Sequence, residues 1–213
     1  MSGRLKPRVL PRLPETPVAA FPAGRDAVTI GAMAVALAAT CHFLVAEARF
    51  IPSASMAPTL AVGDRLVIEK VTYHVHAPRR GDIVVFHPPR PAILGQIGLD
   101  PSVPWIKRVV GLPGDKLSLV DGRLYVNGRR LPEPYLLSGA ASYTLHERPV
   151  PADSVFVLGD NRKHSIDSAT WGPLPMENII GKASFRFWPP GRFGALAAPA
   201  PHVEVARGAT GLW

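Results

Sequence analysis

Two serines, one lysine and one polar loop hold most of the chemistry available to this 213-residue sequence. Ser53 and Ser55 stand in PSASMAPTL, where Pro52 and Pro58 restrict the backbone on either side and disfavour helix. A serine hydroxyl is a poor nucleophile until a base takes its proton. Without a base, the stretch reads as a proline-braced turn. The identity of the serines therefore depends on what the rest of the chain brings to them.

Histidine is one source of a base, and there are seven. His74 and His76, in YHVH, would share a strand face and so present two metal ligands, but no Cys, His or acidic cluster completes a site. An exposed strand face is the simpler reading, and no metal is expected. His42 lies in an apolar run, while His87, His146, His164 and His202 stand in no recognisable partner motif. Triads assemble in space and not in sequence, so a Ser-His-Asp arrangement stays open. Lysine is the other source. In VPWIKRVVG, Lys107 shares a face with Trp105 and Val109, and Arg108 sits opposite between Ile106 and Val110. Alternation does not choose between the two cations. Chemistry does, because burial lowers a lysine pKa by several units whereas a guanidinium keeps its proton. The competing reading is a surface Lys-Arg pair with snorkelling stems. The polar loop is GDNRKHSIDS, residues 159–168, in which Asp160 and Asn161 suit a side-chain-stabilised turn after the apolar SVFVL.

These residues need elements to position them, and the pattern after residue 48 is β throughout. GDIVVF and WIKRVVG read as short apolar strands, and DRLVIEKVTYHV alternates in places. Asp121-Gly122 and Asn127-Gly128 each interrupt an alternating segment with a hairpin signal. With 24 prolines, 19 glycines and 47% apolar residues, the composition favours short strands and many turns, and excludes a disordered chain. The expected fold is mainly β, with two antiparallel sheets and no internal repeat.

Ahead of that domain runs AVTIGAMAVALAATCHFLVA, Ala27 to Ala46, without a formal charge. Its length suits a helix crossing roughly 30 Å of hydrocarbon. A cleavable secretory signal, suggested by Ala46-Glu47-Ala48, would have a shorter apolar core of about 7 to 15 residues; a buried core helix is the other alternative. The expected organisation is a disordered basic tail over 1–26, a transmembrane helix over 27–48, and a β-rich domain over 49–213. Arg4, Lys6, Arg8, Arg12 and Arg25 precede the run, which places the N-terminus in the cytoplasm and the domain outside. The net charge of +8 raises nucleic acid as a partner. The arginines are scattered, however, with no basic run or interleaved aromatics. Attraction to anionic lipid headgroups explains the charge more simply. Cys41, the one cysteine, lies inside the run, so no intrachain disulfide forms.

Four segments in order, PSASMAPTL, GDIVVF, WIKRVVGLPGD and GDNRKHSIDS followed by WGPLP, closely resemble the type I signal peptidases, membrane-bound serine endopeptidases that remove signal peptides from exported proteins. The resemblance covers nearly everything after the apolar run. It implies Ser55 as nucleophile and Lys107 as general base. It also implies Ser53, with the backbone N–H of Ser55, as an oxyanion hole. Ser165 matches the serine that orients the lysine amine, and Asp160, Asn161, Arg162 and Asp167 match a supporting motif. The hairpins from about 115 to 150 fall in the family's variable part. One departure is plain: Ala169 stands where the family pattern S-x-D-S-R has arginine, so either Arg162 or Lys163 substitutes as the partner of Asp167 or the site tolerates the loss.

The implied substrates are signal peptides bound as an extended strand and cut after an Ala-x-Ala-like site, with no cofactor required. Small or aliphatic side chains near Ser55 and on the GDIVVF strand are the expected pocket walls. Phe50, Ile51 and Met56 are candidates for dipping into the membrane interface, whereas Phe185 and Phe187, in FRFWPPGRF, read as core. The implied location is a single-pass protein of the bacterial plasma membrane, or of a thylakoid membrane. Two alternatives remain: a self-cleaving Ser-Lys peptidase of the repressor type, and a membrane-tethered β-domain that binds peptides without catalysis.

Overall fold

The computed structural model describes residues 24–40, 45–89, 98, 100, 102–136 and 144–196. The chain divides into two compact units, Met1–Ala39 and Thr40–Trp213. Helix α1, Gly24–Thr40, is 17 residues long, about 25 Å at the α-helical rise. Among the described residues no helix is long and apolar enough to cross a membrane. Cys41, His42 and His202 lie outside the described residues, as does most of the basic tail.

The expected span over 27–48 is corrected at its far end. Ala46–Phe50 is a strand, β1, paired antiparallel with β2, Arg65–Glu69. The reason is legible in AEARF, which alternates with period two and carries charge. Glu47 bonds Lys70 at 2.6 Å and also meets Arg49, an arrangement suited to a sheet edge and not to hydrocarbon.

The remaining strands are β3 (Ile83–Phe86), β4 (Trp105–Gly111), β5 (Lys116–Val120), β6 (Arg123–Val126), β7 (Arg129–Arg130), β8 (Leu145–Pro149), β9 (Ser154–Leu158), β10 (Leu174–Pro175), β11 (Ile179–Trp188) and β12 (Gly194–Ala195). They form two antiparallel sheets, as the turn pattern predicts. The larger runs β1-β2-β11-β3-β4-β9-β10, with β12 beside β11; the smaller runs β7-β6-β5-β8. Both hairpin signals are used. Asp121 and Gly122 join β5 to β6, Asn127 and Gly128 join β6 to β7, and all four residues have positive φ (48°, 73°, 52° and 75°). Turns with two left-handed central residues match the right-handed twist of the flanking strands.

One expected strand is absent. Thr72–Val75 forms a helical turn, closed by His76 N–H on the Thr72 carbonyl at 3.0 Å, so His74 and His76 do not share a strand face. Thr72 also donates its hydroxyl to Glu69 at 2.8 Å, which fixes the chain as it leaves β2.

The central strands are covered on both faces. Ile83, Val85 and Ile106 pack with Ile51, Met56, Leu60, Leu66 and Ile68, whereas Val84, Phe86 and Val109 pack with Val155, Val157 and Leu174. A third cluster joins Phe156 and Leu158 of β9 to Leu117, Leu119 and Leu124 of the smaller sheet. Strands buried on both sides read as continuous apolar runs and lose the alternation of a half-exposed sheet. For β4, this buries Lys107 and Arg108 together, at 5% and 1% exposure.

Candidate active site

The serine turn is built by apolar anchoring. Met56 and Leu60 are both fully buried, and Leu60 N–H bonds the Met56 carbonyl at 2.9 Å. Residues four apart on one side of a helical turn meet the same surface; here that surface is the cluster around Ile68 and Ile83. Ile51 is also buried, so neither Ile51 nor Met56 is available to a membrane interface; Phe50 is, at 57% exposure. Phe185 and Phe187 are half-buried, and Phe185 packs edge-on against Phe193 with ring centres 4.7 Å apart.

Two clamps hold the turn at its ends. At the far end, Arg186 and Arg192 donate to the Thr59 carbonyl at 2.9 and 3.1 Å, and both pair with the buried Asp64. At the near end, Asn161 donates its backbone N–H to the Ser55 carbonyl at 3.0 Å and its side-chain Nδ2 to the Ala54 carbonyl at 3.1 Å. The Gly-Asp-Asn motif thus grips the serine turn through main-chain carbonyls. Gly159 permits the approach: a Cβ there would lie 2.6 Å from the Ser55 carbonyl oxygen and 2.3 Å from Ser165 Oγ. Any larger residue would push these two segments apart.

Ser55 is 8% exposed. Its Oγ lies 2.8 Å from Lys107 Nζ, and Nζ donates also to the Ile106 carbonyl at 3.0 Å. Trp105 lies alongside, its ring centre 5.8 Å from Nζ. Burial pulls the Lys107 pKa from its ordinary 10.5 down to about 8, against the upward pull of the Asp167 and Asp160 carboxylates. Ser53 Oγ is 3.3 Å from Ser55 Oγ. The arrangement offers an amine that loses its proton near neutral pH in contact with a hydroxyl on a rigid turn.

Asp167 is satisfied without an arginine at 169. Its Oδ2 accepts from Gly159 N–H at 2.9 Å and from the Ser165 hydroxyl at 2.6 Å, and its Oδ1 accepts from Ala169 N–H at 3.1 Å. The Ala169 side chain packs against the cluster shared by β9 and the smaller sheet. Neither substitute proposed from sequence fills the gap. Arg162 pairs with Glu133 and bonds the Gly159 carbonyl, and Lys163 is exposed. Ser165 thus lies beside the Ser55 turn, with its hydroxyl on Asp167.

Asp160 holds Arg108. Nε and Nη2 of Arg108 bond the two carboxylate oxygens at 2.8 and 2.7 Å, and Nη1 reaches the Gly81 carbonyl at 2.9 Å. Sequence reasoning sets Arg108 aside as a base because a guanidinium keeps its proton, and gives no sign of its buried partner. The signal that would have found it is the unbroken apolar character of GDIVVF and SVFVL, the two strands that flank β4.

An open cleft of about 350 Å³ leads to the serine, lined by Pro52, Ser53, Val103 to Lys107, His164 and Ile166. The expected walls are corrected here, because Ile83 to Phe86 are wholly buried and contribute nothing to the cleft. Of the described histidines only His164 lines it, and the proton acceptor in contact with Ser55 is the lysine.

Residues 25–188 match the family described as signal peptidase, peptidase S26. The chain is 50% identical over 171 residues to "Signal peptidase I" of Leptolyngbya laminosa, which covers 80% of this chain and 82% of that one. It is likewise 50% identical over 166 residues to "Probable signal peptidase I-1" of Synechocystis sp., covering 78% and 83%. It is similar also to "Probable thylakoidal processing peptidase 2, chloroplastic" of Arabidopsis thaliana, 46% identical over 148 residues, covering 70% of this chain and 40% of that one.

Proposed function

Because the chain belongs to the peptidase S26 family of signal peptidases, serine endopeptidases that remove signal peptides from preproteins, we propose that it does so with Ser55 as nucleophile and Lys107 as general base. The observation that carries the reading is the 2.8 Å contact between Lys107 Nζ and Ser55 Oγ in a buried setting that favours the neutral amine. No histidine is required.

The geometry supports the following steps. The neutral Lys107 amine, held by the Ile106 carbonyl, takes the Ser55 proton as Oγ attacks the scissile carbonyl carbon. Negative charge gathers on the former carbonyl oxygen, where Ser55 N–H and the Ser53 hydroxyl donate to it. As the tetrahedral intermediate collapses, the Lys107 ammonium gives its proton to the leaving amine of the mature chain. Water then enters and gives a proton to the amine as its oxygen attacks the acyl ester; the ester C–O bond breaks, the ammonium returns the proton to Ser55 Oγ, and the signal peptide leaves with a free carboxyl group. The cleft lined by Pro52, Ser53, Ser55 and Val103 to Lys107 receives the peptide in extended form, with the Ala-x-Ala side chains against its walls.

The partner in situ is a bilayer. The apolar α1 serves as anchor and the catalytic unit lies outside the cytoplasm, where exposed Phe50 is available to the interface. A signal peptide, held by its own apolar core, keeps its cleavage site close to the same bilayer. In support, relatives bear names of bacterial and thylakoidal signal-processing enzymes.

The test is cleavage of a purified preprotein with an Ala-x-Ala site by the full-length chain in detergent. Wild type cuts after the second Ala and sediments with membranes before detergent is added; Ser55→Ala and Lys107→Ala fall to background. Between pH 6 and 9, kcat/KM of wild type rises with pH to a plateau, with a midpoint near the Lys107 value of about 8, because only the neutral amine is active. Retained activity in Lys107→Ala would transfer the base to another residue.

A further inference from the structure

The segment LPEPYL, residues 131–136, falls in the stretch read from sequence as variable, yet it packs on Arg162 and Arg108, which hold the 159–162 loop. Glu133 and Arg162 form an ion pair whose side chains are 6% and 1% exposed. The Tyr135 hydroxyl donates to Glu133 Oε1 at 2.7 Å, and the Tyr135 ring lies against the Arg108 guanidinium, 4.1 Å from its centre. Burial and the adjacent Glu133 carboxylate hold the Tyr135 phenol well above its ordinary pKa, so it stays a donor.

Both arginines lead to the same loop. Arg108 grips Asp160 through two bonds, and Arg162 donates to the Gly159 carbonyl at 3.2 Å. Between those contacts sits Asn161, the residue that holds the Ala54 and Ser55 carbonyls. One buried carboxylate and one phenol thus fasten the loop from behind on both sides. Apolar side chains of similar volume would serve stability as well as a buried ion pair. The ionic version specifies geometry, since its bonds fix where the loop stops.

We propose that Glu133, together with Tyr135, is a positioning residue for the peptidase reaction: through Arg162 and Arg108 it sets the 159–162 loop, and through Asn161 it holds Ser55 at working distance from Lys107. The inference rests on the Ser55-Lys107 reading. Glu133 touches neither substrate nor reacting atoms, so its loss acts on the alignment of attack and leaves substrate affinity alone. A displacement of even 1 Å at a reacting group costs on the order of 100-fold in rate.

The experiment is a double-mutant cycle on the full-length chain in detergent with the same preprotein, reading kcat and KM separately well below each variant's melting temperature. Glu133→Gln is expected to lower kcat by roughly 10- to 100-fold with KM within about threefold of wild type. Tyr135→Phe, which removes one hydrogen bond and keeps the ring, is expected to lower kcat by about three- to tenfold. In an Asn161→Ala background Glu133→Gln should cost little more, because both act through one loop and such residues are not additive.

A kcat for Glu133→Gln within twofold of wild type, or full additivity with Asn161→Ala, overturns the proposal. Should Glu133→Gln fail to fold, Tyr135→Phe with Asn161→Ala completes the same cycle under the same criteria. Ser55→Ala and Lys107→Ala run alongside: activity in those variants sinks the Ser-Lys reading itself. Background activity there combined with an additive cycle sinks only the role of Glu133.

Discussion

Lys107 and Arg108 are neighbours on β4, both buried, and the fold treats them in opposite ways. On one face the Arg108 guanidinium meets both oxygens of Asp160, has Tyr135 against its plane, and keeps its charge. On the other face the Lys107 amine bonds two neutral oxygens, Ser55 Oγ and the Ile106 carbonyl, and burial brings its pKa to about 8. The same strand thus carries one cation supplied with a carboxylate and one denied it. What separates a structural cation from a base, once both are buried, is the partner placed in contact. Asp160 and Asp167 act on Lys107 only from a distance, raising its pKa against the effect of burial. That balance leaves it useful near neutral pH.

The comparison breaks most severely if Arg108 is made to resemble its neighbour. Asp160→Asn leaves a guanidinium at 1% exposure without its counter-charge. Breaking a buried pair by removing one partner costs roughly 3–5 kcal/mol. Chemical denaturation should show a loss of that size, with no change in the slope against denaturant. Because Asp160 also raises the Lys107 pKa, the midpoint of the kcat/KM profile should move below about 8. A stable Asp160→Asn variant with an unmoved midpoint would mean that the two faces are independent.

Lys107→Met sharpens the comparison from the other side, since it removes the cation that has no carboxylate. The folded-state value of about 8 lies below the ordinary 10.5, so between those two pH values the unfolded chain binds more protons than the folded one. Stability from this group therefore rises as pH increases from about 8 to 10.5, and below 8 the folded state carries the whole cost. At 1.36 kcal/mol per pKa unit that cost is about 3 kcal/mol. Urea unfolding at pH 7 should find the inactive Lys107→Met variant more stable than wild type by about that amount, with the difference shrinking toward pH 10.5. An inactive variant no more stable than wild type would show that the lysine carries no strain of this kind.

The features readable in the sequence are those enforced locally. Asp121-Gly122 and Asn127-Gly128 announce hairpins because their left-handed turns depend on residue type alone. PSASMAPTL and GDNRKHSIDS stand out because a tight turn and a close backbone approach each restrict the residues allowed. The features missed depend on what packs against them from far along the chain. The partner of Arg108, Asp160, lies 52 residues downstream, and the competing reading of a surface Lys-Arg pair needs a wet face that β4 lacks. Glu133 and Tyr135 gave no local sign, since their partners lie about 29 residues downstream and 27 upstream. The end of α1 was misplaced because apolar content alone runs on past Thr40, whereas period-two alternation in AEARF already marks β1. His74 changed face because one helical turn follows β2 directly.

The smallest expected effect concerns which partner the Ser165 hydroxyl serves. Family resemblance assigns it to orient the lysine amine; in this structure it donates to Asp167 Oδ2 at 2.6 Å, one of the carboxylates that raise the Lys107 pKa. If its contact is with Asp167, Ser165→Ala removes one hydrogen bond from a carboxylate that two backbone N–H groups still hold. A bond of about 1 kcal/mol corresponds to roughly a fivefold fall in kcat/KM. The pH midpoint should hardly move, because the Asp167 charge remains. A fall of about 100-fold or more, comparable with loss of a proton-transfer partner, would place the hydroxyl on the Lys107 amine during turnover. Lys107 would then be oriented by side chains on two loops, and its resemblance to Arg108 would be closer than the resting geometry implies.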